Sequence, residues 1–187
     1  MSHREERSRG PELIELIYEA TVQAGDWPVY QHIDLEGHRR GMEKPYEVLE
    51  ALPHEWVSFE NPLDTASKVR LHVEGIAAAE LGDGLLQEFV NAVVALSERW
   101  EREPMLSPAQ AQPVVVQAHE LFDASAARSE GELRLIGLLL DNEGIGTVDW
   151  TEDPASPFSV EIDFEIRDYR AASSIEDYLR ARRSDHS

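Results

Sequence analysis

The chain has 187 residues and no cysteine, and its 17 lysine and arginine residues are outnumbered by 37 aspartate and glutamate residues, giving a net charge of −20. The lack of cysteine excludes disulfides, thiolate catalysis and cysteine-bound zinc. No apolar run approaches the length of a membrane helix, and the charged start MSHREERSRG does not resemble a secretory signal. We therefore expect a cytoplasmic protein that does not contact a membrane. Periodic runs of hydrophobic residues, 42% of the chain, indicate a globular fold with a core.

Two helices are predicted in the first forty residues or so. Pro11 suits the first turn of one helix, and Gly25 ends it. A second helix is predicted from Asp26 to about Gly41, with Trp27 at the corner between the two helices. The predicted core residues of the second helix are Val29 or Tyr30, Ile33 and Leu35.

The segment 45–79 predicts a short helix followed by two strands and another helix. Pro45 fits a first helical turn, and Pro53 stops the helix. Strand formers follow at 56–59, and Asn61-Pro62 marks a turn. From 68 to 74, apolar and charged residues alternate, as in a half-buried strand.

The order of these elements resembles the winged-helix (winged helix-turn-helix) superfamily. The stretch VRLHVEGIAAAE in particular is similar to the closing strand and following helix of many such domains, with Gly75 as the turn into a helix at Ile76. The resemblance covers only the N-terminal half. It implies a scaffold that docks onto other molecules, most often DNA.

The C-terminal half predicts a smaller unit made of helices and strands. A long helix from about Leu85 to Glu103 has one broad apolar face, and PMLSPAQAQP at 104–113 is a linker candidate because it has three prolines and no periodicity. A helix followed by a two-stranded wing would make this unit a reduced second winged helix. The elements predicted after the linker are a strand at 114–116, helices at 119–127 and 130–140, strands at 146–150 and 158–166, and a final helix capped by Ser173 or Ser174.

Together these elements predict an α+β, mainly helical protein. Its parts would be an N-terminal winged helix, a long connecting helix and a smaller C-terminal helix-plus-wing unit. The predicted division is a flexible tail at 1–9, a winged-helix domain with the long connecting helix at 10–103, a linker at 104–113, and the smaller unit with its C-terminal helix at 114–187.

No motif in the sequence predicts catalysis, a metal or a cofactor. None of the seven histidines forms a HExxH or another tight ligand pair. Gly144-Ile145-Gly146 lacks the third glycine of a dinucleotide loop and lies between a helix and a strand, the reverse of the dinucleotide order. A row of acids could suggest a metal-dependent nuclease or an imitation of a phosphate backbone, but a solvated strand face explains it without further assumptions. The row is Glu161, Asp163, Glu165 and Asp168.

The third predicted helix argues against DNA as the partner. Glu47 and Glu50 point outward, with Glu43 just before, whereas readers of DNA need cations or amides at base edges. We therefore expect a non-catalytic regulatory or adaptor protein that binds another protein. The alternatives are a DNA-binding winged-helix transcriptional regulator that uses the basic patch, and an acidic DNA mimic. The predicted partner-binding residues are Arg39, Arg40, Lys44, Tyr46, Glu47 and Glu50.

Overall fold

The computed structural model describes residues 9–59, 64, 66–102, 113–122, 129–162 and 169–184. The protein is α+β and mainly helical, which confirms the predicted fold class at that level. The chain divides into two compact units, residues 1–83 (unit 1) and 84–187 (unit 2). None of the described helices is both long and apolar enough to cross a membrane.

Unit 1 contains helices and a small antiparallel sheet. Val57 lies opposite Leu71 across the two strands, and Val29 forms an isolated bridge to Lys68 on the other side of the second strand. The elements are α1 (Gly10–Ala24), α2 (Tyr30–Arg39), α3 (Pro45–Ala51), β1 (Val57–Phe59), β2 (Val69–Leu71) and α4 (Val73–Ala78).

The start of α2 differs from the prediction. The backbone N–H of Tyr30 donates to Ser67 (2.9 Å), and the carbonyl of Pro28 accepts from Val69 (2.8 Å). Residues 28–30 are therefore hydrogen-bonded to β2 and to the residues just before it. The helix begins at Tyr30 rather than near Asp26.

This start fixes which side of α2 is buried, and the prediction that Leu35 belongs to the core is wrong. Ile33 and Gly37 are buried, whereas Leu35, about 200° around the axis from Ile33, is 51% exposed. Val29 is 37% exposed and is not a core residue either. Trp27 is buried, as expected for a residue at the corner between helices.

Gly75 has a different role from the predicted one. Helix α4 already begins at Val73, so Gly75 lies inside the helix rather than at a strand-to-helix turn. A Cβ at position 75 would lie 2.5 Å from the carbonyl oxygen of Trp56. Glycine is therefore needed because the helix passes directly against the backbone that leads into β1.

Unit 2 has a three-stranded antiparallel sheet in the order β3-β5-β4. Val160 of the central strand lies opposite Val116 on one side and Val148 on the other. The sequence predicts a two-stranded wing preceded by a separate short strand. In the structure that short strand, β3, pairs with β5 and makes the sheet three-stranded. The elements are α5 (Asp83–Arg102), β3 (Val115–Gln117), α6 (Ala118–Leu121), α7 (Glu130–Asn142), β4 (Gly146–Trp150), β5 (Phe158–Ile162) and α8 (Ile175–Ser184).

Helix α5 packs within unit 2, although the sequence analysis placed it with the N-terminal domain. The Phe89 ring meets Tyr178 edge-on with a centroid distance of 5.2 Å. The Ser97 hydroxyl accepts a hydrogen bond from the Tyr169 backbone (3.2 Å). Residues 104–112 of the predicted linker lie outside the described residues.

The two units share one order of elements. In each, a helix precedes a short extended segment, two further helices and two strands. The last strand lies between two others in unit 2, whereas in unit 1 it lies between β1 and the isolated bridge at Val29. In unit 1 the first extended segment is only the bridge at Val29, and in unit 2 it is the full strand β3.

Candidate functional site

The predicted partner-binding residues lie together on unit 1, at the end of α2, in the following turn and on α3. All three cations among them are held by carboxylates of the same unit, so their positive charge is largely neutralised locally. The ion pairs are Arg39 with Glu36, Arg40 with Glu19 of α1, and Lys44 with Glu47.

Two tyrosines from different helices meet beside these ion pairs. Tyr46 of α3 donates its hydroxyl hydrogen to Glu50, and its ring lies edge-on to Tyr30 of α2 at a centroid distance of 5.7 Å. Tyr30 in turn donates to Asp34 (3.1 Å). Burial, reinforced by the Asp34 carboxylate, raises the pKa of Tyr30, and the hydrogen bond to Glu50 raises the pKa of Tyr46. Both phenols therefore stay protonated, as hydrogen-bond donors, further into the alkaline range than free tyrosine.

His38 continues the row of polar side chains along α2. Its Nδ1 lies 2.9 Å from the carbonyl oxygen of Met42, and its Nε2 lies 3.7 Å from Asp34. Because a carbonyl oxygen can only accept, the bonded tautomer carries its hydrogen on Nδ1. Leu35, three residues before His38 and adjacent to it on the helix surface, is exposed.

The turn between α2 and α3 is held by a side chain from the start of α1. Arg9 donates to the carbonyl oxygens of Gly41 (2.6 Å) and Arg40 (3.4 Å), and its Nε donates to Glu12 (2.9 Å). A guanidinium at this position satisfies carbonyls that the end of α2 leaves without helical partners and complements the negative end of the helix dipole. The turn that carries Arg40 is therefore anchored to α1.

Close packing fixes the approach of α3 to α2. A Cβ at Gly37 would lie 2.7 Å from the ring of Pro45, the first residue of α3. The two helices can therefore meet closely only because position 37 has no side chain. This approach brings Tyr30 and Tyr46 together.

A pocket of about 340 Å³ lies between α3 and β1. Its lining is mixed, with apolar side chains from both elements and three polar ones at the edge. It borders the tyrosine contact through Glu50. The lining residues are Leu49, Glu50, Leu52, His54, Val57, Ser58 and Phe59.

Metal ligation finds no support in the described part of the chain. There, no group of three or more histidine, aspartate and glutamate residues is placed to hold an ion. Of the acidic row weighed in the sequence, only Glu161 is described, and it is exposed on β5 opposite Val115 and Thr147. Asp163, Glu165 and Asp168 lie outside the described residues, so the interpretation of that row stays a prediction.

The predicted residues include Tyr46, Glu47 and Glu50 of α3 and Arg39 at the end of α2, but not the polar row earlier on α2. Tyr30, Asp34 and His38 follow one another at a spacing of four residues, which places them on one side of a helix. That spacing is the signal that could have identified them. What the sequence could not supply is the ring contact with α3.

No family model, curated protein or solved structure matches the chain.

Proposed function

We propose that this chain is a non-catalytic regulatory or adaptor protein that binds another protein through an acidic winged-helix scaffold. The order of elements in unit 1 supports the scaffold: helix, short extended segment, helix, helix, and two strands, the last of which also meets the extended segment through an isolated bridge. Unit 2 repeats that order with a complete three-stranded sheet, which supports a second winged helix. In such a domain, α3 of unit 1 and α7 of unit 2 correspond to the helix that enters the major groove of DNA.

The ion pairing around α3 carries the proposal. Arg39, Arg40 and Lys44 are each held by a carboxylate, and Glu43 is exposed between them and α3. Affinity for DNA depends on several lysine or arginine contacts to phosphates. Each such contact would first have to break an ion pair beside other carboxylates. A protein surface is therefore a better match for this region than a phosphate backbone.

The corresponding helix of unit 2 has the same character. The guanidinium of Arg134 donates to Glu130 (2.9 Å) and to the carbonyl of Thr151 (3.4 Å), and it lies 5.5 Å from the ring centroid of Trp150. Glu130 and Asp141 are exposed on the same helix. Arg134 is the only basic residue of α7, and its contacts hold it within the unit.

A capture experiment with two matched variants tests the proposal. The test variant is Glu47→Lys with Glu50→Lys on α3, and the control is Glu152→Lys with Asp153→Lys in unit 2, which changes the net charge equally. We expect the wild type and the control to retain one protein from a lysate of the native host and the α3 variant to lose it. In a mobility-shift assay, the wild type should leave duplex DNA unshifted.

Two outcomes would favour the alternatives instead. Nanomolar duplex binding that falls steeply with salt and is lost on Arg39→Glu with Arg40→Glu would support the transcriptional regulator. Capture of a DNA-binding protein that duplex DNA displaces in competition would support the DNA mimic.

A further inference from the structure

The neighbouring helices α2 and α3 of unit 1 present aromatic, apolar and acidic side chains. This surface extends beyond the residues around α3 and includes the solvent side of α2. We name it the tyrosine face, and its residues are Tyr30, Asp34, Leu35, His38, Tyr46 and Glu50.

We infer that the tyrosine face binds a positively charged, amphipathic segment of the partner protein, with lysine or arginine side chains on its carboxylates and an apolar side chain against Leu35 and the tyrosine rings. This inference rests on the proposed adaptor function and specifies the chemistry of the partner.

The face contains two rows of side chains, one on each helix. Tyr30, Asp34 and His38 form one row along α2, in which Tyr30 donates to Asp34 (3.1 Å) and Nε2 of His38 lies 3.7 Å from Asp34. Tyr46 and Glu50 form the second row along α3. The rows meet where the two rings lie edge-on, 5.7 Å apart. A segment laid across the two helices would contact both rows at once.

The apolar surface comes from two places, the two rings where α2 meets α3 and Leu35, which lies about 140° around α2 from Tyr30. Leu35 is 51% exposed on the side of α2 opposite its buried residues Ile33 and Gly37. Tyrosine is enriched in protein interfaces and among the residues whose removal costs most binding energy. The phenols are held in fixed positions by Asp34 and Glu50, so little side-chain entropy is lost when a partner covers them.

The carboxylates of the tyrosine face favour a bound segment that is positively charged. Both rows contain a carboxylate that already accepts from a phenol, and a carboxylate has room for further donors. The cations at the border of the face, Arg39, Arg40 and Lys44, are held in ion pairs. The net charge of −20 attracts a cationic partner over long range and repels an acidic one.

Synthetic peptides and the full chain provide the test. The probe is a helical peptide with lysine on one side and leucine on the other, and the two reference peptides replace its lysines with glutamate or its leucines with serine. Affinities are measured by fluorescence anisotropy, and amide chemical shifts in nitrogen-15 spectra locate the peptide. Circular dichroism confirms that each variant is folded.

We expect the lysine–leucine peptide to bind with shifts centred on α2 and α3. Asp34→Asn with Glu50→Gln should weaken binding about fivefold or more, the loss typical of an important interface position. The matched control, Asp149→Asn with Glu152→Gln in unit 2, removes the same charge from outside the tyrosine face and should change the affinity less than about twofold, because exposed charges that do not contact the bound peptide contribute little. Leu35→Ser should weaken the leucine peptide but not the serine peptide.

Equal losses in the two charge variants would show attraction by net charge alone and overturn the inference. Equal binding of the glutamate peptide, or a native partner that contacts these residues through an acidic or neutral segment, would also overturn it while leaving the adaptor function in place. Displacement of the peptide from α2 and α3 by duplex DNA would overturn both.

Discussion

Gly75 determines how closely helix α4 approaches the chain that leads into β1. An added Cβ would lie 2.5 Å from the Trp56 carbonyl oxygen, which also accepts from His72 (2.9 Å). Backbone atoms cannot move aside as a flexible side chain can. We expect Gly75→Ala to lower the free energy of unfolding by about 2 kcal/mol, as overpacking does.

Urea unfolding followed by tryptophan fluorescence measures this effect. The control is Ala78→Gly, an exposed position at the end of the same helix, which should cost less than about 1 kcal/mol because glycine is better tolerated there than in a helix interior. An alanine at 75 that left the protein as stable as the wild type would show that the close approach does not constrain α4.

Asp177 makes the stability of the last helix depend on pH. Its carboxylate accepts from the hydroxyl (2.7 Å) and the backbone N–H (3.3 Å) of Ser173, and these bonds lower its pKa. A pKa that is lower in the folded state than in the unfolded state stabilises the fold above the unfolded value of about 4, and this contribution is lost as the pH falls through the folded value.

We therefore expect Asp177→Asn to lower the melting temperature at neutral pH, and this effect to shrink as the pH falls below the unfolded value of about 4, where the unfolded chain takes up the proton and the advantage of the native carboxylate is lost. Thermal melts of both proteins across this range measure the difference. Glu176→Gln, an exposed neighbour outside the cap, is the control. A difference that stayed constant between pH 7 and pH 3 would contradict the assignment.

At the scale of elements, an ion pair attaches α8 to the end of α7. The Glu143 carboxylate is fully buried, and it contacts the Arg182 guanidinium and accepts from the Tyr178 hydroxyl (3.3 Å). Removing Arg182 leaves the buried Glu143 carboxylate without its ionic partner. We expect Arg182→Met to lower the free energy of unfolding by roughly 3 kcal/mol.

Arg180→Met is the matched control, because the Arg180 side chain is 74% exposed and pairs with Asp177 at the surface. Its cost should be below about 1 kcal/mol. Adding Glu143→Gln to Arg182→Met should recover part of the stability, since no buried charge then remains unpaired. Denaturant unfolding of the wild type and these three variants measures the costs, and equal costs at 180 and 182 would contradict the prediction.

The sequence predicts an element correctly when the residues that determine it are close together in the chain. The helices α1 and α3 follow from apolar periodicity and from a proline in the first turn, and the structure confirms both. The start of α2 was misplaced because residues 28–30 pair with a segment nearly forty residues later, and no local pattern encodes such a partner.

The same distinction applies to the candidate site. Tyr46 and Glu50 could be found because they lie on an outward side of a predicted helix. The hydrophobicity of Leu35 predicts a core residue. The prediction is wrong because the sequence does not show which side of α2 faces the core. The contact between Tyr30 and Tyr46 depends on how α2 and α3 pack at Gly37. Periodicity within one helix does not predict such packing.

For the whole molecule, the division at residue 83 predicts two parts that fold separately. Each unit buries its own apolar core, with Leu13 and Ile33 in the first and Phe89 and Val160 in the second. We expect the fragments 1–83 and 84–187 each to give dispersed amide spectra whose peaks overlay those of the full chain.

A division at 56 is the control, because it separates α3 from β1 and should leave the shorter fragment without dispersed signals. The expectation would fail if 84–187 became ordered only after 1–83 was added.

The central place of β5 also has a consequence for how the chain is made. Gln117 of β3 pairs with Ser159 of β5, and β4 also needs β5 as its neighbour. Synthesis proceeds from the N-terminus at roughly ten residues per second, so β3 leaves the ribosome about four seconds before the strand that completes it. Throughout that interval the apolar side of Val116 has no sheet to join, and a nascent chain of unit 2 would depend on chaperones most at this stage.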